Sequence, residues 1–258
     1  MHKPLRIGHR GAAGHVLENT LGSIEKAIEL GVDYVEIDLR LTCDGHVVVL
    51  HDATVDRTTN GHGRIKDLTL AQVKRIKTKD GQHVPTLDEV LKLTDGRVGL
   101  MLELKIRGLA KPVTEIVQRS GFSSPVIYAS FHHKELSRVR EWLPSAAIMP
   151  LISRGRIALS IPEKLSADHV GIRFDRVTKP VVESFHAAGV PVFVFTVNEA
   201  VDIARVKDIG VDGIISDMPP SFYGGLSLYR EVTSASRQVF LLSISGEVRF
   251  DRSENCAR

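Results

Sequence analysis

The chain has only two cysteines, Cys43 and Cys256, in 258 residues. They lie too far apart to give a disulfide framework or the paired spacing of a zinc site. Charge of one sign is also missing. A formal net charge of +3 is too small to argue for a nucleic-acid partner or a membrane-surface protein. No apolar run approaches the roughly 20 residues needed to cross a bilayer, so stable membrane insertion is not expected. Met1 to Arg6 leads into the first apolar run with no signal core, and a cytoplasmic protein is the expectation. Internal repeats and low-complexity segments are absent. What is present is 43% hydrophobic and 25% charged residues, the balance of a globular enzyme. The length suits one domain of the size of a parallel α/β barrel, about 250 residues.

Strand and helix signals alternate. Short apolar runs occur at Leu5–His9, Tyr34–Leu39, Val98–Leu104, Val126–Ala129, Ala147–Ile152, Val170–Phe174, Val192–Val197 and Gly213–Ser216. Helical segments with legible ends lie between them. Asn19 is placed to cap a helix with apolar positions Leu21, Ile24 and Ile28, stopped at Gly31. Thr178 and Pro180 open another that Gly189 closes, and Asn198 opens one that Gly210 closes. Eight strands separated mostly by helices favour α/β architecture in the form of a (β/α)8 TIM barrel. The rhythm breaks once. Thr42-Cys43-Asp44-Gly45 is a turn signal, and His46–Leu50 reads as a returning strand. Residues from about 46 to 97 form a small insertion over the barrel mouth, with capping boxes at Thr69/Gln72 and Thr86/Glu89. Residues 1–258 thus read as a single barrel domain. Its tail, about 221–258, holds a final helix and a hairpin over Val239–Ile244 and Glu247–Phe250, with no assigned role.

The informative residues sit where the first strands end: His9-Arg10-Gly11, Glu36-Ile37-Asp38, His51-Asp52 and Glu103-Leu104-Lys105. Chemistry in such barrels gathers at the C-terminal ends of the strands. Glu36 and Asp38, two apart on a strand, point to one face. Two carboxylates facing one way repel and raise each other's pKa unless a cation lies between them. The pattern predicts a divalent metal site flanked by two histidines. Singly, each part has an ordinary use: a hydrogen-bonded strand-end histidine, a strand-end ion pair, a solvated carboxylate. Asp52 suits either orienting an imidazole or capping the next turn, and Asn198 either a helix cap or a substrate. His15, His62, His83 and His132-His133 read as loop histidines.

The ordered set extends further, through Glu18-Asn19-Thr20, Thr42-Cys43-Asp44-Gly45, Asp56-Arg57-Thr58-Thr59-Asn60-Gly61, Pro85-Thr86-Leu87, Ser130-Phe131, Phe195-Thr196-Val197-Asn198 and Ser216-Asp217. Taken together, over roughly residues 5–220, it resembles the glycerophosphodiester phosphodiesterase family. The resemblance implies a TIM barrel with an insertion after the second strand. It also implies metal-dependent hydrolysis of a small-molecule glycerophosphodiester to glycerol 3-phosphate and an alcohol. On this chain it makes Glu36, Asp38 and Glu103 ligands of a divalent metal ion (Mg²⁺ or Ca²⁺), His9 and His51 the acid/base pair, and Arg10 and Lys105 the phosphate contacts. Leu17 stands where the family often has proline and Phe195 where it often has tryptophan, which bears on loop shape and substrate fit.

The chemistry suits these residue types. Hard oxygen ligands hold Mg²⁺ or Ca²⁺, a guanidinium fork matches phosphate oxygens, and histidine titrates near neutrality. Three rival functions make other demands. Lysophospholipase D-type action on lipid diesters calls for an apolar mouth, whereas the insertion carries Arg57, Arg64, Lys66, Lys74, Arg75, Lys77 and Lys79. A Schiff-base lyase using Lys105 calls for a desolvated neutral amine, which Glu103 on the same face opposes. A non-catalytic phosphate-ester binding protein has no use for a second histidine.

Overall fold

Short β-branched runs can be buried on both faces only in a parallel sheet covered by helices, and the chain folds accordingly. The computed structural model describes residues 3–219. Its elements are β1 (Leu5–Gly8), α1 (Leu21–Glu29), β2 (Tyr34–Leu41), β3 (Val47–Val49), α2 (Leu70–Val73), α3 (Leu87–Thr94), β4 (Gly99–Leu104), α4 (Ala110–Ser120), β5 (Val126–Ser130) and α5 (His133–Trp142). These are followed by β6 (Ala147–Ile152), α6 (Ser160–Leu165), β7 (Val170–Arg173), α7 (Lys179–Ala187), β8 (Val192–Phe195), α8 (Ala200–Asp208) and β9 (Gly213–Ser216). All strands but β3 pair in parallel, and β1 bonds to both β2 and β9, which closes an eight-stranded barrel. No helix among the described residues is long and apolar enough to cross a membrane. The expected tail helix and hairpin lie outside the described residues.

Alternation along the strands divides two cores. Val35, Ile37 and Leu39 of β2, with Leu100, Leu102 and Leu104 of β4, face outward to the helices. Tyr34, Met101, Ile127, Met149, Leu151, Phe193 and Ile215 face inward and fill the barrel. Large inward side chains need small neighbours. A Cβ on Gly99 would lie 2.5 Å from the Tyr34 ring, and one on Gly213 would lie 2.7 Å from the Phe193 ring.

β2 outruns β1, which pairs with it only at Tyr34 and Val35. β3 takes the free edge above, antiparallel, with Leu39 opposite Val49 and Leu41 opposite Val47. The stretch expected as an insertion then divides in two. Val48, Val55, Ile65 and Val73 build a small satellite core over the mouth, whereas Leu87, Val90 and Leu91 of α3 belong to the main core as part of the helix ring. The capping boxes at Thr69/Gln72 and Thr86/Glu89 are both formed.

Two expected caps are corrected. α1 is capped by Thr20, whose hydroxyl accepts from the Ser23 N–H, because the Asn19 side chain is engaged by Asp38 on the neighbouring strand β2. α8 starts at Glu199 without a side-chain cap, since the Asn198 amide is bonded to the segment after β9.

Candidate active site

The acidic cluster follows from register. Asp38 on β2 and Glu103 on β4 are direct neighbours across the ladder, and Glu36 lies one inward position below Asp38. One carboxylate oxygen from each of the three lies within 4.8 Å of the others, and all three residues are buried. Lys105, just past β4, places Nζ 2.8 Å from Glu103 and 3.2 Å from Asp38.

The turn after β1 completes one wall. Arg10 and Gly11 are left-handed, with φ of 51° and 86°, and this conformation aims the Arg10 N–H at Glu36 Oε2, 2.8 Å away. The Arg10 guanidinium reaches Glu18 at 2.9 Å and Asp38 at 3.3 Å. Asn19, also left-handed (φ 56°), donates from Nδ2 to Asp38 Oδ2 at 2.8 Å and accepts the Asp38 N–H through Oδ1 at 3.2 Å. Glu36 Oε1 is buried without a hydrogen-bond partner, and Asp38 Oδ1 faces only the Lys105 ammonium. An orphaned hard acceptor in a converging set of carboxylates is what a divalent cation satisfies. The three carboxylates therefore fit the metal that the residue pattern predicts.

Each histidine is backed by a carboxylate. His9 Nδ1 lies 2.6 Å from Asp217, and its Nε2 lies 3.8 Å from Glu36. His51 Nδ1 lies 2.7 Å from Asp52, so of the two uses open to Asp52 the fold takes the orienting one. A carboxylate on Nδ1 leaves Nε2 as the working nitrogen. The two rings nonetheless differ. Burial works against a charged His9, but the Asp217 hydrogen bond and the Glu36 charge outweigh it, so its pKa is raised. Burial also disfavours a charged His51, and there Asp38 and Asp52 do not overcome it against Lys105 and Arg10, so its pKa is lowered.

The carboxylates divide likewise. Burial and the neighbouring Asp38 charge push Glu36 up to about 8. Burial also favours a neutral Asp38, but Lys105 and Arg10 hold it below the usual range. Burial raises Glu103 as well, with Asp38 adding to it and Lys105 opposing. Lys105 loses solvation, yet Asp38 and Glu103 hold it charged. The cavity beside Glu36 and Glu103 is floored by Met101, Ala129, Leu151 and Ile215 and walled by Phe131 and Phe195, whose rings meet edge to face at 5.7 Å.

All seven residues singled out in the sequence thus end on one face of the barrel. Asp217, Asn19, Glu18 and Arg57 join them without having been assignable as site residues from the sequence. Each belongs to a motif visible there, but Asp217 meets His9 across 208 positions, and no local spacing rule connects them. His62, His83 and His133 are spent on Asp56, Lys77 and the Leu151 carbonyl, away from the acidic cluster.

A closed parallel barrel with its ionisable side chains gathered at the strand ends defines an enzyme of the TIM-barrel class. The particular family follows from likeness to known proteins, and the chain belongs to the glycerophosphoryl diester phosphodiesterase family, whose model matches residues 9–221. It is 34% identical to a glycerophosphodiester phosphodiesterase of Caldanaerobacter subterraneus subsp. tengcongensis, over 84% of this chain and 95% of that one. It is 33% identical to one of Bacillus altitudinis, over 83% and 94%. Among solved structures, an Oleispira antarctica phosphodiesterase in complex with the product sn-glycerol-3-phosphate superposes with a TM-score of 0.80 at 30% identity, covering 84% of this chain and 94% of the other. A Thermotoga maritima glycerophosphodiester phosphodiesterase gives 0.73 at 29% identity, over 84% and 96%. The protein is accordingly a phosphoric diester hydrolase.

Proposed function

We propose that this enzyme hydrolyses small glycerophosphodiesters to glycerol 3-phosphate and an alcohol, using a divalent cation held by Glu36, Asp38 and Glu103. The observation that carries the reading is the buried acidic cluster flanked by two histidines, each held at Nδ1 by its own carboxylate. When bound, the cation supplies Lewis-acid polarisation of the phosphoryl oxygens. Arg10 and Lys105 add positive charge for the same oxygens, which lowers the cost of approach by a nucleophile. His51 takes the proton of the attacking hydroxyl, either water, which gives glycerol 3-phosphate directly, or the neighbouring glycerol hydroxyl, which gives a cyclic phosphate that water then opens to the same product. His9, oriented by Asp217 on Nδ1, donates its proton from Nε2 to the departing alcohol oxygen.

The charged state of Lys105 argues against a Schiff-base lyase, because an ammonium is not a nucleophile. Two histidines each fixed by its own carboxylate argue against a protein that only binds. The polar, basic insertion favours a small diester over a lipid one. The deciding assay is release of glycerol 3-phosphate from glycerophosphocholine by the purified chain with Mg²⁺, with Ca²⁺, and with excess chelator. Release that depends on the metal is expected. Release undiminished by the chelator would refute the metal role, and no release with either ion would refute the substrate assignment.

A further inference from the structure

We propose that Arg57 is a positioning residue that sets the His51 base in register with the phosphate-binding Arg10, a role that rests on the acid/base reading above. His51 does not sit on a barrel strand. It follows β3, and its backbone is tied to β2, where Arg40 Nε donates to the His51 carbonyl at 2.9 Å and the Leu50 N–H donates to the Asp38 carbonyl at 2.9 Å. Those bonds fix the backbone only; the imidazole is held by Asp52, and the residue that ties the Asp52 carboxylate to the barrel is Arg57. Its Nε donates to Asp52 Oδ2 at 2.6 Å, while Nη1 and Nη2 donate to the two oxygens of Glu18 at 2.9 and 2.6 Å. The other Asp52 oxygen holds His51 Nδ1 at 2.7 Å, and Glu18 Oε1 also accepts from Arg10 Nη1 at 2.9 Å. One guanidinium therefore joins the carboxylate behind the base to the carboxylate behind the phosphate-binding arginine.

A stabilising role alone does not account for the arrangement. Arg57 is half exposed, and ion pairs in such positions contribute little to stability. A planar fork that engages two carboxylates fixes direction as well as distance, which a lysine ammonium cannot do. Glu18 and Asp52 come from different parts of the chain, the turn after β1 and the segment after β3, so the fork also fixes their relative position.

The test compares Arg57→Ala, His51→Ala and the double variant in the full chain, by kcat and KM on glycerophosphocholine at saturating metal. Displacing a reacting group by about 1 Å costs on the order of 100-fold, so Arg57→Ala is expected to lower kcat by roughly 10- to 100-fold. In the His51→Ala background the same change should leave kcat where it was, because no imidazole remains to be positioned. KM should rise in both backgrounds through Glu18 and Arg10. Wild-type kcat in Arg57→Ala, or an equal further kcat loss in the double variant, would overturn the proposal. If Arg57→Ala does not fold, Arg57→Lys takes its place, keeping the charge without the fork. The same kcat loss is then expected, and wild-type kcat or an equal further loss on the His51→Ala background again overturns the proposal. Failure of the underlying reading looks different: His51→Ala itself would then turn over like the wild type.

Discussion

Glu36 shows how a single residue trades stability for function. Its folded pKa is raised, from 4.5 to about 8, so folding takes up a proton there. Stability from this group is present below the unfolded value and is lost as pH rises through the folded one. Glu36→Gln should therefore melt higher than the wild type in chelator, by a margin that grows between pH 5 and pH 9, while metal-dependent turnover disappears. Melting curves at the two pH values check this, and an equal margin at both would count against it. The two histidines separate by leaving group. His9→Ala and His51→Ala are each expected to lose about 10²- to 10⁴-fold in turnover. A nitrophenolate leaving group, which needs no proton, should restore the His9 variant and not the His51 variant. Rescue of His51→Ala instead would reverse the roles. Asp217→Asn removes a contact that raises the His9 pKa. The acid must be protonated to act, so the alkaline limb of kcat/KM should move to lower pH; a pH profile with an unmoved alkaline limb would contradict the assignment.

Among the elements, the segment between β3 and α3 depends on its own small core. Ile65 is buried among Val48, Val55 and Val73, and truncating such a side chain typically costs about 2–5 kcal/mol. Ile65→Ala is expected to raise amide exchange in residues 50–80 while the barrel strands keep their protection. Hydrogen exchange read segment by segment distinguishes this from global loosening. Because His51 rides on this segment, kcat should fall alongside, with the metal-binding affinity unchanged. β2 acts differently. Its inner face carries Glu36 and Asp38 while its outer face is packed against helices, so the proposed ligands sit on a barrel strand and the proposed base on the segment beyond β3.

For the molecule as a whole, barrel closure depends on fitting large and small inward residues around the circle. Gly213→Ala would bring a methyl 2.7 Å from the Phe193 ring, and overpacking of this kind costs about 1–3 kcal/mol. Chemical denaturation should show that loss, and Phe193→Leu should recover most of it in the double variant. Simple addition of the two single effects would mean the contact is not the cause. The closed barrel also juxtaposes the first and last described strands. His9 follows β1 and Asp217 follows β9, and because β1 pairs with β9 in parallel they emerge at the same end.

The alternation of strands and helices, the barrel class and the seven ionisable residues are all legible along the chain. Apolar periodicity, turn chemistry and polar residues at strand ends are local signals, and local signals survive without a fold. How those residues are held is a matter of long-range packing. Asn19 and Asn198 satisfy the local rule for helix capping, yet their side chains are drawn to Asp38 and Asp217, partners brought alongside by the parallel pairing of β1 with β2 and of β8 with β9. The opposite pKa shifts of His9 and His51 are also set by the fold, since burial and charges from several segments converge on each ring, and most of these come from residues distant in sequence. The Arg57 bridge likewise exists only because the segment after β3 returns to the turn after β1, a meeting set by packing rather than by spacing along the chain.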